Sequence, residues 1–214
     1  MTRGKTYGQF CGLARALDHV GDRWTLLIVR ELLLGPRTFA ALQASLDGIS
    51  PNLLVDRLRS LASDGIVRRN GAPARSKAVE YRLTDDGAAL EPAVLALIRW
   101  GARWMTTGPG DDHVEPTWTV LALRALLNGT PAERSVHGNV HLVVDDQAIT
   151  VAVTRGRRTV RAGHQGPADA TVTETMSTVL AVASGLLTLD NNVITGDDEL
   201  AHAALQTTQG ASTG

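Results

Sequence analysis

Asn52, Asp56, Arg59 and Ser63 follow one another at steps of four, three and four residues. On a helix this spacing gathers an amide, a carboxylate, a guanidinium and a hydroxyl into one stripe with no apolar residue in it. Those side-chain types carry the donors and acceptors needed to read base edges in the major groove of DNA. The same stripe on an ordinary amphipathic helix is only a solvated face. The elements around it must decide between the two readings.

Ser50 offers an N-cap oxygen, and Pro51 stands at the first helical position, where its missing N–H costs nothing. Leu54, Leu58 and Leu61 form an apolar keel opposite the polar stripe. Before it, Thr38–Leu46 reads as a short helix with Phe39, Leu42 and Leu46 on one face, and Asp47-Gly48-Ile49 is a corner of the helix-turn-helix kind. After it, Asp64-Gly65 stops the helix. Ile66–Arg69 and Val79–Leu83 read as two short strands around a Gly- and Pro-marked loop that holds Arg75 and Lys77. Helix, turn, helix and basic hairpin make a winged helix-turn-helix.

Upstream, Cys11–Val20 and Asp22–Leu34 read as helices, the second capped by Asp22 and stopped by Gly35-Pro36. Downstream, Thr84 caps a long helix expected to run to about Met105, with Trp100 and Trp104 on one side. So apolar a helix needs a partner. The same helix of a second subunit would give a two-fold dimer, and packing on the C-terminal half is the alternative.

The chain has 214 residues, 43% hydrophobic and 20% charged, a normal globular composition that argues against disorder. Its net charge of −1 hides an asymmetry. Residues 1–106 carry 15 Lys and Arg against 10 Asp and Glu, while residues 107–214 carry 6 against 12. Only the basic half suits a polyanion. Early apolar runs are too interrupted for a signal peptide and none approaches a membrane span, so a cytoplasmic location is expected. One cysteine excludes an internal disulfide framework.

Residues 107–112 read as a linker. Beyond it we expect a helix over Trp118–Leu127, strands over Val136–Val144, Ala148–Thr154 and Arg158–Ala162, and a possible fourth over Ala170–Thr173. Helices over Glu174–Ser184 and Asp197–Gln206 follow, then a frayed tail from about residue 208. His137 and His141 are four apart on a strand, about 13 Å, and lack a third ligand, so no metal is expected. No catalytic set or cofactor motif is recognisable.

Residues 11 to about 105 resemble the HxlR family of bacterial winged-helix regulators. The likeness rests on Cys11, Ala16-Leu17-Asp18, Gly21, Arg23-Trp24-Thr25-Leu26-Leu27-Ile28, Arg30-Glu31-Leu32, Gly35-Pro36-Arg37-Thr38-Phe39, Gly48–Leu54, Arg57-Leu58-Arg59 and Tyr81–Gly87. The resemblance implies a homodimer on double-stranded operator DNA, at the nucleoid when bound, with Ser50 to Arg59 as recognition helix and Arg68 to Glu80 as wing. By position, Asn52 suits adenine and Arg59 guanine, and Asp56 accepts from cytosine or steers the arginines. Arg37 and Arg57 become phosphate clamps, and Arg75 and Lys77 reach the minor groove or phosphate. Cys11 stands where several family members sense oxidants or electrophiles, although Gly12 replaces the usual following proline. Nothing local marks it as a thiolate, and a buried structural cysteine is the other reading.

The C-terminal half more loosely resembles the sterol-carrier-protein-type domain, through Asp169–Thr173, the helix to Gly185, and Thr195-Gly196-Asp197. That likeness implies an apolar pocket lined by Trp118, Leu121, Met176, Val179, Leu180 and Leu187, with ordinary core positions as the alternative. The expected fold class is α+β: a winged helix-turn-helix domain over 1–106 and a sterol-carrier-like α+β ligand-binding domain over 113–207. The expected function is a transcriptional regulator, a repressor more than an activator, answering to a hydrophobic small-molecule effector. A redox sensor acting through Cys11 and a hydrophobic-ligand carrier are the alternatives.

Overall fold

Side-chain caps set where half of the helices of this computed structural model begin; residues 6–70, 79–105 and 110–206 are described. The chain divides into two compact units, Met1–Val94 and Leu95–Gly214.

In the first unit, α1 (Gly12–Val20), α2 (Thr25–Leu33), α3 (Phe39–Ser45) and α4 (Pro51–Ser63) precede a hairpin of β2 (Val67–Asn70) and β3 (Glu80–Leu83). Thr38 Oγ1 accepts from Ala41 N to open α3, and Ser50 Oγ accepts from Leu53 N to open α4. Ile28, Leu42, Leu46, Leu54, Leu58 and Leu61 are buried together with Val29 and Leu32. Each such side chain contributes about 1.5–3 kcal/mol by leaving water. A two-residue strand β1 (Arg37–Thr38), too short to show a pattern, adds to the hairpin in the antiparallel order β1-β3-β2.

Two helices differ from expectation. α2 begins at Thr25, not Asp22, because Trp24 takes a left-handed backbone (φ 80°, ψ −24°) that no helix can pass through. The long helix expected from Thr84 is broken into α5 (Asp85–Ala88) and α6 (Glu91–Gly101), then a 3₁₀ turn over Ala102–Trp104. Pro92 explains the break, since it has no N–H for the carbonyl of Ala88 and its ring would collide with it. The division between the units falls inside α6.

The second unit is a five-stranded sheet with helices on one face. β4 (Gly138–Val144), β5 (Gln147–Thr154) and β6 (Arg157–Ala162) form an antiparallel meander; β7 (Ala170–Glu174) lies parallel to β4; β8 (Ile194–Gly196) closes the edge. The order is β6-β5-β4-β7-β8. The three meander strands and β7 match the sequence reading, whereas β8 was not expected. Val140, Leu142, Ile149, Val151, Val160 and Val172 are buried on the face that meets α7 (Thr119–Leu127) and α9 (Asp198–Leu205), and α8 (Met176–Ala183) packs against both helices. On the opposite face, register sets Thr195, Thr171, His141, Thr150 and Arg161 in one polar row. Buried Arg158 donates to the carbonyls of Ala203 and Gln206 and to Thr130 Oγ1, fastening the end of α9 to β6. Among the described residues, no helix is long and apolar enough to cross a membrane.

Candidate nucleic-acid interface

α4 presents its leucine keel inward and its polar stripe outward. Leu54, Leu58 and Leu61 are buried, and Asn52, Asp56, Arg59 and Ser63 are exposed. Arg59 Nη1 stands 3.8 Å from Asp56 Oδ1 one turn earlier, with side chains 79% and 68% exposed. That loose pair holds the guanidinium near the stripe without taking it from solvent. Ser50 is exposed, but its hydroxyl is committed to capping the helix.

Two other expected contacts stand differently. Arg57 is turned back to the protein and paired with Asp22. Arg37, in β1 opposite Tyr81, is half-buried, and its Nε is shielded without a hydrogen-bond partner among the described residues. Arg75 and Lys77 lie outside the described residues.

The wing sheet adds cations that residue spacing alone did not single out. Register places Arg68 of β2 directly opposite Arg82 of β3, both exposed. Like charges facing across a sheet repel, and an anion laid over them relieves the cost. The sequence signal was present in two arginines at mirrored positions about the wing loop, but only the register pairs them.

Cys11 is exposed and occupies the N-cap of α1, which corrects the reading of a buried structural cysteine. The backbone N–H of Ala14, with that of Leu13, holds its thiol below the usual range, although no cap hydrogen bond is formed. Of the six expected pocket residues, Leu121 and Val179 are fully buried, Trp118, Met176 and Leu180 are half-buried, and Leu187 is exposed. A cleft of about 560 Å³ in the second unit is lined instead by residues such as Arg158, Glu133, Glu199 and His202.

Residues 19–109 match the model of the HxlR-like helix-turn-helix family. The chain is 36% identical over 91 residues to the uncharacterized HTH-type transcriptional regulator YvaP of Bacillus subtilis, covering 42% of this chain and 84% of YvaP. The chain belongs to the HxlR-like helix-turn-helix family. A second relative, the uncharacterized HTH-type transcriptional regulator sll1512 of Synechocystis, is 34% identical over 98 residues, which is 46% of this chain and 73% of that one. Among solved structures, the reduced form of the transcriptional regulator YodB from B. subtilis is 30% identical, covering 47% of this chain and 99% of that chain, with a TM-score of 0.40. The HxlR-like chain is thus a transcriptional regulator with a helix-turn-helix DNA-binding domain. The family model stops at residue 109 and does not bear on the sheet of the second unit.

Proposed function

We propose that this HxlR-like protein is a homodimeric, sequence-specific repressor that releases its operator when the second unit binds a hydrophobic effector. The observation that carries DNA reading is the capped α4, with a buried keel and an outward Asn52, Asp56 and Arg59 face. Asn52 and Arg59 read adenine and guanine, Asp56 steers Arg59, and Arg68 and Arg82 rest on the flanking phosphates. Arg37, Arg75 and Lys77 supply further backbone contacts.

Two exposed apolar stripes support the dimer: Tyr7, Phe10, Leu13 and Leu17 around α1, and Leu97, Trp100, Trp104 and Met105 on α6 and the turn after it. Trp100 and Trp104 meet edge to face at 4.5 Å, with Arg103 over both rings. Tryptophan left this exposed suits an interface. In the second unit, half-buried Met176 and Leu180 and exposed Leu187 remain reachable by an apolar effector, as a sterol-carrier-like domain requires, while Leu121 and Val179 would have to be uncovered.

Base and phosphate contacts separate by experiment. Arg59→Ala should cost about 1–3 kcal/mol and relax specificity at one base position. Arg68→Ala with Arg82→Ala should weaken all sequences alike and lower the salt slope by about 0.9 per lost contact. Uniform weakening from Arg59→Ala, with discrimination between bases intact, would remove it from the reading face.

A second reading, a thiol sensor, is favoured by one observation, the exposed Cys11 with its lowered pKa. An oxidant or electrophile would act there, beside the α1 stripe assigned to the dimer.

A further inference from the structure

The end of α1 and the corner after it meet α4 at two points, Asp64 and Arg57, and we propose that they form a positioning clamp for the recognition helix, with Arg57 as its positioning residue. The inference rests on the reading of α4 given above. Arg57 pairs with Asp22, which lies just past the end of α1. The Arg57 side chain is 25% exposed, against 79% for Arg59 only two residues on. Its Nε is shielded from solvent and has no partner among the described residues, so the guanidinium lies along the protein and does not reach outward. Two turns further, Asp64, the C-cap of α4, stands 3.3 Å from His19 Nδ1 at the end of α1, an ion pair when the imidazole is protonated.

Positions 57 and 64 are about 10 Å apart along a helix axis. Ties at two points so spaced fix the tilt of a helix as well as its rotation. Trp24 lies near the turn that leads into α4. Its left-handed backbone is one that a bulky residue keeps only where its surroundings enforce it. The rim of its indole stands 3.7 Å from where a Cβ on Gly48 would be, and Gly48 (φ 84°) belongs to the turn between α3 and α4. The clamp thus meets α4 at its middle and its C-cap, with Trp24 beside the turn before it. Thr6 and Tyr7, held by Asp18 through Thr6 Oγ1 at 3.0 Å and Tyr7 N at 2.8 Å, line with Asp22, Arg57 and Ser60 a cleft of about 470 Å³ on the same side.

A phosphate contact and a positioning role predict opposite behaviour. In the first, Asp22 competes with DNA for Arg57, so removing it strengthens binding. In the second, Asp22 and Arg57 act as a unit, so removing either weakens binding. The full chain would be titrated by fluorescence anisotropy against a duplex that the wild-type protein selects from random sequence, at several salt concentrations. Asp22→Asn and Arg57→Gln should each weaken binding about 5–30-fold, the span of one to two kcal/mol, with the salt slope unchanged. The exchange variant Asp22→Arg/Arg57→Asp should return to within about threefold of wild type, since the pair is remade with its signs reversed. This rescue also separates lost positioning from failed folding.

The clamp is overturned if Asp22→Asn binds as tightly as wild type or tighter, if Arg57→Gln lowers the salt slope by about 0.9, or if the exchange variant binds worst of all. Arg59→Ala tells the two levels apart. If it weakens binding while Asp22→Asn does not, the clamp alone is lost. If Arg59→Ala leaves affinity and specificity intact, α4 is not the reading helix and both readings fall.

Discussion

Cys11 shows how position along a helix changes the chemistry of a side chain. At the N-cap of α1 the N–H groups of Ala14 and Leu13 point toward the sulfur, and they favour the thiolate over the thiol. Anion stabilisation lowers the pH at which the proton leaves. The pH profile of iodoacetamide alkylation should therefore have its midpoint below the value of about 8.5 for a free cysteine. Mass spectrometry reads it directly, because this is the chain's single cysteine. A midpoint at or above the free value would remove the thiol-sensor reading. The residue type was plain in the sequence, but its setting was not: starting the helix at Cys11 and not at Gly12 puts the thiol inside the first turn and hides the cap. The partner of Arg57 was hidden for a related reason: Asp22 lies 35 residues away in sequence and meets it only once the chain is folded.

At the scale of elements, punctuation residues were the most legible. Ser50-Pro51 marks the start of α4, Asp64-Gly65 its end, and alternating apolar residues mark β4 and β5. Elements defined by a distant partner were not legible. β1 and β8 have two and three residues and exist because β3 and β7 offer free edges. The break before α6 was readable from Pro92, but the apolar periodicity across it suggested one continuous helix. Gly87, in the single turn of α5, makes a checkable claim about such packing. A Cβ there would collide with the carbonyl oxygen of Ile66, the residue before β2, and meet Leu83 Cδ2 at 3.1 Å. Gly87→Ala should therefore destabilise the protein by about 1–3 kcal/mol despite alanine's better helix propensity. Urea unfolding measures it, and unchanged or raised stability would show that the wing sheet does not press on α5 in this way.

At the scale of the whole molecule, the parts differ in charge as well as in fold. The basic half carries the winged helix, and the acidic half carries a sheet whose helices cover one face. This division was readable from composition, since it needs only sums of charge. The proposed effector site was less legible, because apolar residues on helices and strands look alike whether they line a pocket or fill a core. The proposed dimer would tie the scales together: with exposed Trp100 and Trp104 at its interface, two copies of α4 would stand about one turn of DNA apart. The most direct test selects duplexes from random sequence with the full chain, then measures affinity, stoichiometry and salt dependence on the winner. We predict an inverted repeat with half-sites about 34 Å apart, two chains bound per duplex, and affinity that falls steeply with salt yet resists plain competitor DNA. Enrichment of no sequence, or binding that competitor DNA removes, would contradict the account.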